Sequence, residues 1–213
     1  MHLMLKKILL FILLASVLVG CAPKSQFANV RNLHAGYGAN VIFFGDSLTS
    51  GSGAGPGEDY VSLIKNQIDL PTINAGIPGD TTASALQRLD RDVLQKDPRI
   101  VVVELGGNDY IVSARSSLAA RNQAFENLGQ IIGKIQDTGA VAVVAGIAPD
   151  GDFKDRYRKL AQEKRAALIP DILDGVLENP SLMADPMHPN ARGYVVVADN
   201  ILAVLKPLLN EML

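Results

Sequence analysis

The sequence predicts a three-layer α/β domain, in which one parallel sheet of five strands lies between two layers of helices. Short apolar runs alternate with amphipathic stretches from residue 39 onward, as expected when each strand is followed by a right-handed crossover helix. Residues 99–105 and 140–146 are apolar without alternation, which is typical of strands covered on both faces. The chain has 213 residues, 48% of them hydrophobic, which suits one globular domain.

The predicted strands and helices follow one another along the chain. The strands are VIFF (41–44), PTINA (71–75), RIVVVEL (99–105), AVAVVAG (140–146) and AALIP (166–170). Apolar residues at helical spacing predict helices around 60–68, 85–94 and 125–135, and a last helix from Ala191 to Leu208. In an open parallel sheet, ligands bind beyond the carboxyl ends of the strands. Functional residues are therefore expected just after the strand ends.

Residues 1–20 predict a secretory signal peptide. Lys6 and Lys7 precede an uncharged apolar run over residues 8–19, and small residues follow at the expected cleavage point. The run is shorter than the roughly 20 residues that a spanning helix needs. An uncleaved membrane anchor is the alternative interpretation.

The tetrad Leu-Val-Gly-Cys at 18–21 resembles the lipobox of bacterial lipoproteins. The resemblance implies cleavage before Cys21 and a lipid on that residue, which would anchor the protein to the cell envelope. Ala22, the residue after the cysteine, resembles the signal that sorts lipoproteins to the outer membrane if the source is Gram-negative. Cys21 is the sole cysteine of the chain, so no intramolecular disulfide competes for it. Residues 21–38 then predict a lipidated Cys and a flexible polar tether, and residues 39–213 the folded domain.

The charge pattern excludes a nucleic-acid partner. The formal net charge is −2, and no block of like charge or basic face is present. Removal of residues 1–20 takes away Lys6 and Lys7, so the charge becomes −4. Two histidines then remain, His34 in the predicted tether and His188 near the end of the chain.

Clusters of polar residues and glycines follow three strands and precede the last helix. They are GDSLT (45–49), GIPGDTT (76–82), GGND (106–109) and DPMHPN (185–190). All four fall at the predicted carboxyl end of the sheet, so they are expected to meet in space.

Ser47, His188 and Asp185 together predict a serine nucleophile with its base. Ser47 follows a strand in a tight turn, but a free hydroxyl is a weak nucleophile and needs a neighbouring base. His34 lies in the predicted tether, so His188 is the better candidate. Asp185, three residues earlier, is placed to orient the imidazole. Taken singly, Ser47 also fits a helix cap, and the other two fit a turn with a surface histidine.

Ser47, Gly79 and Asn108 are the candidates for an oxyanion hole. A backbone N–H at a helix start, a glycine that allows close approach and a side-chain amide are all suitable donors. Each alone is a weak signal, since glycine and asparagine are common in turns.

The four clusters also resemble, in order and spacing, the four blocks of the SGNH (GDSL) hydrolases. The resemblance covers about residues 39–209, with Ser47, Gly79, Asn108 and His188 as the residues that give the family its name. It implies a flavodoxin-like sheet of order 2-1-3-4-5, ester hydrolysis, and neither metal nor cofactor. Three stretches are most similar to the bacterial arylesterase, thioesterase I and lysophospholipase L1 branch: NAGIPGDTTASALQRL, VVVELGGND and LMADPMHPNARGY.

The branch implies a carboxylic ester substrate, with a thioester or lysophospholipid as further options. An O-acetylesterase acting on cell-wall or surface polysaccharide is the alternative within the class. A binding lipoprotein without catalysis is the alternative outside it.

Two other patterns in the sequence, a glycine-rich loop and a set of three aspartates, are each associated with other functions. The loop at 50–57 is rich in glycine, but no lysine follows, so a phosphate loop is not predicted. Asp46, Asp109 and Asp185 could be imagined as metal ligands, but they are dispersed and lack a second structured histidine. We expect Asp46 and Asp109 to brace loops instead.

Overall fold

A computed structural model describes residues 25–35, 37–113, 118–147 and 150–212. The predicted signal peptide and the predicted lipidation site at Cys21 lie outside the described residues, as does the start of the predicted tether.

The central sheet has five parallel strands in the order β2-β1-β3-β4-β5. Their bounds are β1 Asn40–Gly45, β2 Thr72–Gly76, β3 Pro98–Glu104, β4 Val141–Ala145 and β5 Ala167–Ile169. All five predicted strands and the expected order are confirmed. Gly45 pairs with Gly76 on one side and with Glu104 on the other, so three strands end at the same level.

Seven α-helices surround the sheet in the described part of the chain. They are α1 Ser47–Ser50, α2 Tyr60–Lys65, α3 Thr82–Asp92, α4 Gly107–Ser113, α5 Leu118–Asp137, α6 Gly151–Lys164 and α7 Ala191–Glu211. Short 3₁₀ turns lie at Leu94–Lys96 and Pro180–Leu182. Helices α4 and α6 were not predicted from the sequence.

Alternate residues of the strands fill two apolar layers. In β1, Val41 and Phe43 belong to the layer formed with α2 and α7, while Ile42 and Phe44 belong to the layer formed with α3, α5 and α6. All four side chains are fully buried. Burial of each contributes on the order of 1.5–3 kcal/mol to the free energy of folding. The two covered faces explain why the strands carry apolar residues without alternation.

The prediction of a flexible tether over residues 21–38 is wrong for residues 25–35. Phe27, Val30 and Leu33 are 4%, 9% and 6% exposed and belong to the layer under α7. The Asn32 amide also donates to the carbonyls of Gln136 and Ala140. These three apolar side chains, spaced three residues apart, cover the amino-terminal end of the sheet. Their burial stabilises the packed segment although most of its other residues are polar.

Helix α7 is long and apolar enough to cross a membrane by length and composition, and it is alone in this among the described helices. One of its faces is nevertheless built into the domain: Tyr194, Val197 and Ile201 are fully buried against the sheet. Its apolar character therefore has an explanation in the core of the domain.

Candidate active site

Ser47 is the first residue of α1 and lies directly beyond the end of β1. Asp46 caps this helix, because its Oδ1 accepts the Leu48 N–H at 3.0 Å. The short helix ends at Gly51, whose φ of +90° favours glycine. The turn thus holds the Ser47 side chain at the carboxyl end of the sheet.

Ser47, His188 and Asp185 form a continuous chain of hydrogen bonds. Ser47 Oγ lies 3.0 Å from His188 Nε2, and His188 Nδ1 lies 2.8 Å from Asp185 Oδ2. The second carboxylate oxygen accepts the backbone N–H groups of Met187 and His188 at 2.8 and 2.9 Å. The hydrogen bond from His188 is the main reason why the pKa of Asp185 lies below its ordinary value. The structure therefore brings the three predicted residues together.

The loop that carries His188 is tied both to α7 and to the loop after Ser47. Asn190 caps α7 by accepting the N–H groups of Arg192 and Gly193. The Tyr194 hydroxyl donates to the Ser52 carbonyl at 2.8 Å. A Cβ on Gly53, which has a φ of +94°, would lie 3.0 Å from His188 Cβ. The glycine-rich loop therefore allows His188 to approach Ser47.

The predicted oxyanion donors border the same space, although they differ in availability. Neither the Ser47 nor the Gly79 N–H donates a hydrogen bond to another described residue. Gly79 has a φ of +82°, which favours glycine. The Asn108 amide already donates to Asp46 Oδ2 at 3.1 Å and to the Asp80 carbonyl at 2.8 Å. An oxyanion would have to share or replace one of these acceptors.

A cleft of about 530 Å³ opens beside Ser47. Four of the five predicted site residues line it, all but Asp185. Its remaining walls are mainly apolar: Leu48, Pro78, Tyr110, Ile111, Ile147, Leu173, Leu177, Pro186 and Met187. A larger groove of about 740 Å³ lies between α5 and α6, with charged walls and none of the predicted site residues. The smaller cleft is the candidate substrate site because it holds the reactive groups.

A buried carboxyl group that was not predicted from the sequence lies beneath the Ser47 turn. Glu104, the last residue of β3, is fully buried, and its Oε2 accepts the Thr49 hydroxyl at 2.7 Å. Its Oε1 has no hydrogen-bond partner among the described residues. Burial, followed by the nearby Asp46 charge, raises the pKa of Glu104 well above its ordinary value. Burial likewise raises the pKa of Asp46 to about 6.

These raised pKa values predict a pH dependence of stability. At these two groups the folded protein binds more protons than the unfolded chain from about pH 4 upward, so the two acids make the free energy of unfolding fall as the pH rises. Glu104→Gln keeps the shape of the side chain and removes one ionisation. We expect this variant to lose up to about 1.4 kcal/mol per pH unit of that downward slope between pH 5 and 7. Urea unfolding at several pH values measures it.

The control for this measurement is Glu178→Gln, which makes the same chemical change at an exposed position. Its slope should match that of the unchanged protein. An unchanged slope in Glu104→Gln would mean that Glu104 is ionised in the folded state.

Asp46 and Asp109 brace loops, as expected. Asp109 accepts the Thr82 N–H and hydroxyl at 2.9 and 2.7 Å and so ties α4 to the start of α3. Asp46 connects α1 to Asn108. Within residues 25–35, 37–113, 118–147 and 150–212, no three His, Cys, Asp or Glu side chains are arranged to hold a metal ion.

Comparison with known proteins gives one family and several relatives. Residues 43–196 match the model of the GDSL-like lipase/acylhydrolase family. The chain is 31% identical to Esterase TesA of Pseudomonas aeruginosa over 79% of this chain and 89% of that protein. It is 30% identical to the Thioesterase 1/protease 1/lysophospholipase L1 of Escherichia coli K12, over 80% and 85%.

Two further similarities concern the envelope and the fold. The chain is 27% identical to the uncharacterized lipoprotein YqeF of Bacillus subtilis over 78% of this chain and 68% of that protein. A crystal structure of TesA superimposes with a TM-score of 0.72 at 30% identity, covering 79% of this chain and 99% of that chain. The sheet and its flanking helices thus match a solved structure.

Proposed function

Because the chain belongs to the GDSL-like lipase/acylhydrolase family and is an ester-hydrolysing enzyme, we propose that it is a serine esterase that works through an acyl-enzyme on Ser47. The hydrogen-bonded chain from Asp185 through His188 to Ser47 carries this proposal. We assign Ser47 as the nucleophile, His188 as the base and Asp185 as the group that orients it.

Acylation follows from the geometry around Ser47. His188 Nε2 takes the hydroxyl proton while Oγ attacks the ester carbonyl. Asp185 accepts a hydrogen bond from the Nδ1–H group, which keeps the ring proton on Nδ1, so Nε2 is the nitrogen that is free to act as base. The negative charge on the carbonyl oxygen is stabilised by the N–H groups of Ser47 and Gly79 and by the Asn108 amide. His188 then gives its proton to the leaving alkoxide or thiolate. Water attacks the acyl-enzyme with His188 again as base, the bond between the acyl carbon and Ser47 Oγ breaks, and His188 returns the proton to Oγ as the carboxylic acid leaves.

The walls of the cleft favour an acyl chain longer than acetate. A volume of about 530 Å³ and a mainly apolar lining can bury a hydrocarbon chain, at about 0.8 kcal/mol for each CH₂. Relatives named as a thioesterase and a lysophospholipase agree with a substrate of this kind. Aryl esters, thioesters and lysophospholipids with such an acyl chain could all place it in the cleft.

A series of p-nitrophenyl esters of increasing chain length tests the proposal. We expect the largest kcat/KM between four and twelve carbons, because these chains fill the apolar cleft. Activity on acetate alone would favour the O-acetylesterase. Absence of turnover with every ester would favour a binding lipoprotein.

Asn108→Ala tests the oxyanion hole. We expect kcat to fall by roughly 10²–10³ with a modest change in KM, because one donor to the transition state is lost. Steady-state kinetics on the preferred ester measure both constants. Asn122→Ala is the control, since this side chain is exposed and accepts a hydrogen bond from Arg156, outside the cleft. A change confined to KM would make Asn108 a residue that positions the substrate.

We further propose that the enzyme is exported and held at the cell envelope by a lipid on Cys21. The charged start, the apolar run and the Leu-Val-Gly-Cys tetrad support this, as does a relative named as a lipoprotein. Mass spectrometry of the membrane-extracted protein should find Cys21 at the N-terminus with a lipid attached. A Cys21→Ser variant should remain unlipidated, and an unmodified N-terminus in the unchanged protein would refute the anchor.

A further inference from the structure

Helix α7 connects the catalytic end of the domain to its N-terminal segment. It begins after His188, with Asn190 as its cap, and ends at Glu211, whose carboxylate accepts the Ser25 hydroxyl. Its 21 residues span about 30 Å at 1.5 Å per residue. Ser25 therefore lies about 30 Å from the cleft, at the other end of the domain.

The segment after Ser25 is held at the amino-terminal end of the sheet. Arg31 donates its backbone N–H to the Arg165 carbonyl at 2.7 Å, just before β5 begins. The Asn32 amide donates to the carbonyl of Ala140, just before β4 begins. The segment thus contacts the amino ends of the strands, whereas Ser47 lies beyond their carboxyl ends.

Only a short piece of chain separates this segment from Cys21. The four residues from Cys21 to Ser25 reach at most about 14 Å when fully extended, which is less than half the length of α7. Cys21, the residue that would carry the lipid, therefore cannot lie beside the mouth of the cleft while residues 25–35 stay packed. Burial of Phe27 and Val30 keeps them packed.

We propose that the amino-terminal end of the sheet is the membrane-facing surface, so that the cleft opens away from the membrane that holds Cys21. The substrates are then esters presented from the aqueous side and not lipids of the anchoring membrane. This inference rests on the proposed lipid at Cys21. Tyr37 supports it: this side chain lies just before β1 and is 94% exposed, and tyrosine suits a membrane–water interface.

The sole cysteine allows the orientation to be tested without the natural lipid. The protein from Cys21 onward is coupled through that thiol to maleimide lipids in vesicles containing brominated phospholipid, which quenches tryptophan. The chain has no tryptophan, so one introduced residue reports its own position. We expect strong quenching of Tyr37→Trp and little quenching of Met187→Trp, which lies at the cleft. Equal quenching at the two positions, or stronger quenching of Met187→Trp, would overturn the proposed orientation.

A variant anchored at the other end is the matched control. Cys21→Ser with Pro56→Cys moves the thiol to an exposed position in the loop beside the cleft, and the order of quenching should reverse. An activity measurement then follows at equal surface density. The rate of each anchored form on soluble p-nitrophenyl butyrate is measured first, and its rate on any other ester is divided by that value.

A long-chain ester confined to the vesicle separates the two anchored forms. We expect it to be hydrolysed at least about tenfold more slowly by the form anchored through Cys21, because the attachment prevents contact with the cleft. Equal rates on this ester would contradict the inference about substrates. Loss of butyrate hydrolysis in both forms would instead contradict the proposed esterase, while the quenching would still report the orientation.

Discussion

Replacing Ser47 with alanine is expected to lower ester hydrolysis below about a thousandth of the unchanged rate. The hydroxyl that faces His188 Nε2 at 3.0 Å would be missing, so no acyl-enzyme could form on this residue. The fold should be unaffected, because Asp46 still caps α1 through the Leu48 N–H. The measurement is kcat/KM on p-nitrophenyl butyrate, together with the midpoint of thermal unfolding.

Ser50→Ala is the matched control for this experiment. Ser50 belongs to the same short helix, but its hydroxyl donates to the Ser47 carbonyl and does not contact His188. We expect less than a tenfold loss. A fluorophosphonate should label Ser47 in the unchanged protein and in Ser50→Ala, as mass spectrometry of the peptides would show. Labelling of another serine, or substantial turnover by Ser47→Ala, would identify a different nucleophile.

Asp185→Asn should lower the rate by up to about 10⁴, the loss seen when the orienting carboxylate of other triads is replaced. Two backbone N–H groups, from Met187 and His188, occupy Oδ1 of Asp185. They would hold the amide oxygen of the variant in that position and direct the amide nitrogen at His188 Nδ1. The imidazole would then carry its proton on Nε2 and could not accept one from Ser47.

Exposure of the Asp185 side chain sets a limit on this prediction. The side chain is 47% exposed, so water can partly replace it, and the loss should not exceed that of Ser47→Ala. Asp137→Asn makes the same change in an exposed ion pair with Arg31 and should leave kcat/KM unchanged. A loss smaller than tenfold in Asp185→Asn would mean that His188 is oriented by other contacts.

The sheet and the meeting of the predicted residues could be derived from the sequence because each leaves a local pattern. Strands such as 99–105 are buried on both faces, so their apolar residues come in uninterrupted runs. The ends of parallel strands share one edge, so Ser47, Gly79 and Asn108 could be expected to lie together before any distance was known. His188 could be chosen as the candidate base because two histidines remain after removal of the signal peptide, and the other, His34, lies in the predicted tether.

Other features depend on partners that are distant in sequence. Helix α6 is dominated by charged residues, and its apolar positions Phe153, Tyr157 and Leu160 are widely spaced, although their helical spacing could have revealed it. Residues 25–35 are mainly polar, and their three apolar side chains are buried against residues that are distant in sequence. The Glu104 carboxyl is in a run of valines, and nothing in that run indicates that Thr49 would bind it.

The contact between Ser47 and His188 joins residues that are 141 positions apart. A ribosome that adds 5–20 residues per second needs roughly 7–28 s to travel between them. During that interval the serine has no histidine at its side, and the strand and helix that hold each residue are completed at different times. In the proposed mechanism hydrolysis cannot begin before His188 reaches Ser47, so a chain that stops short of residue 188 is expected to be inactive.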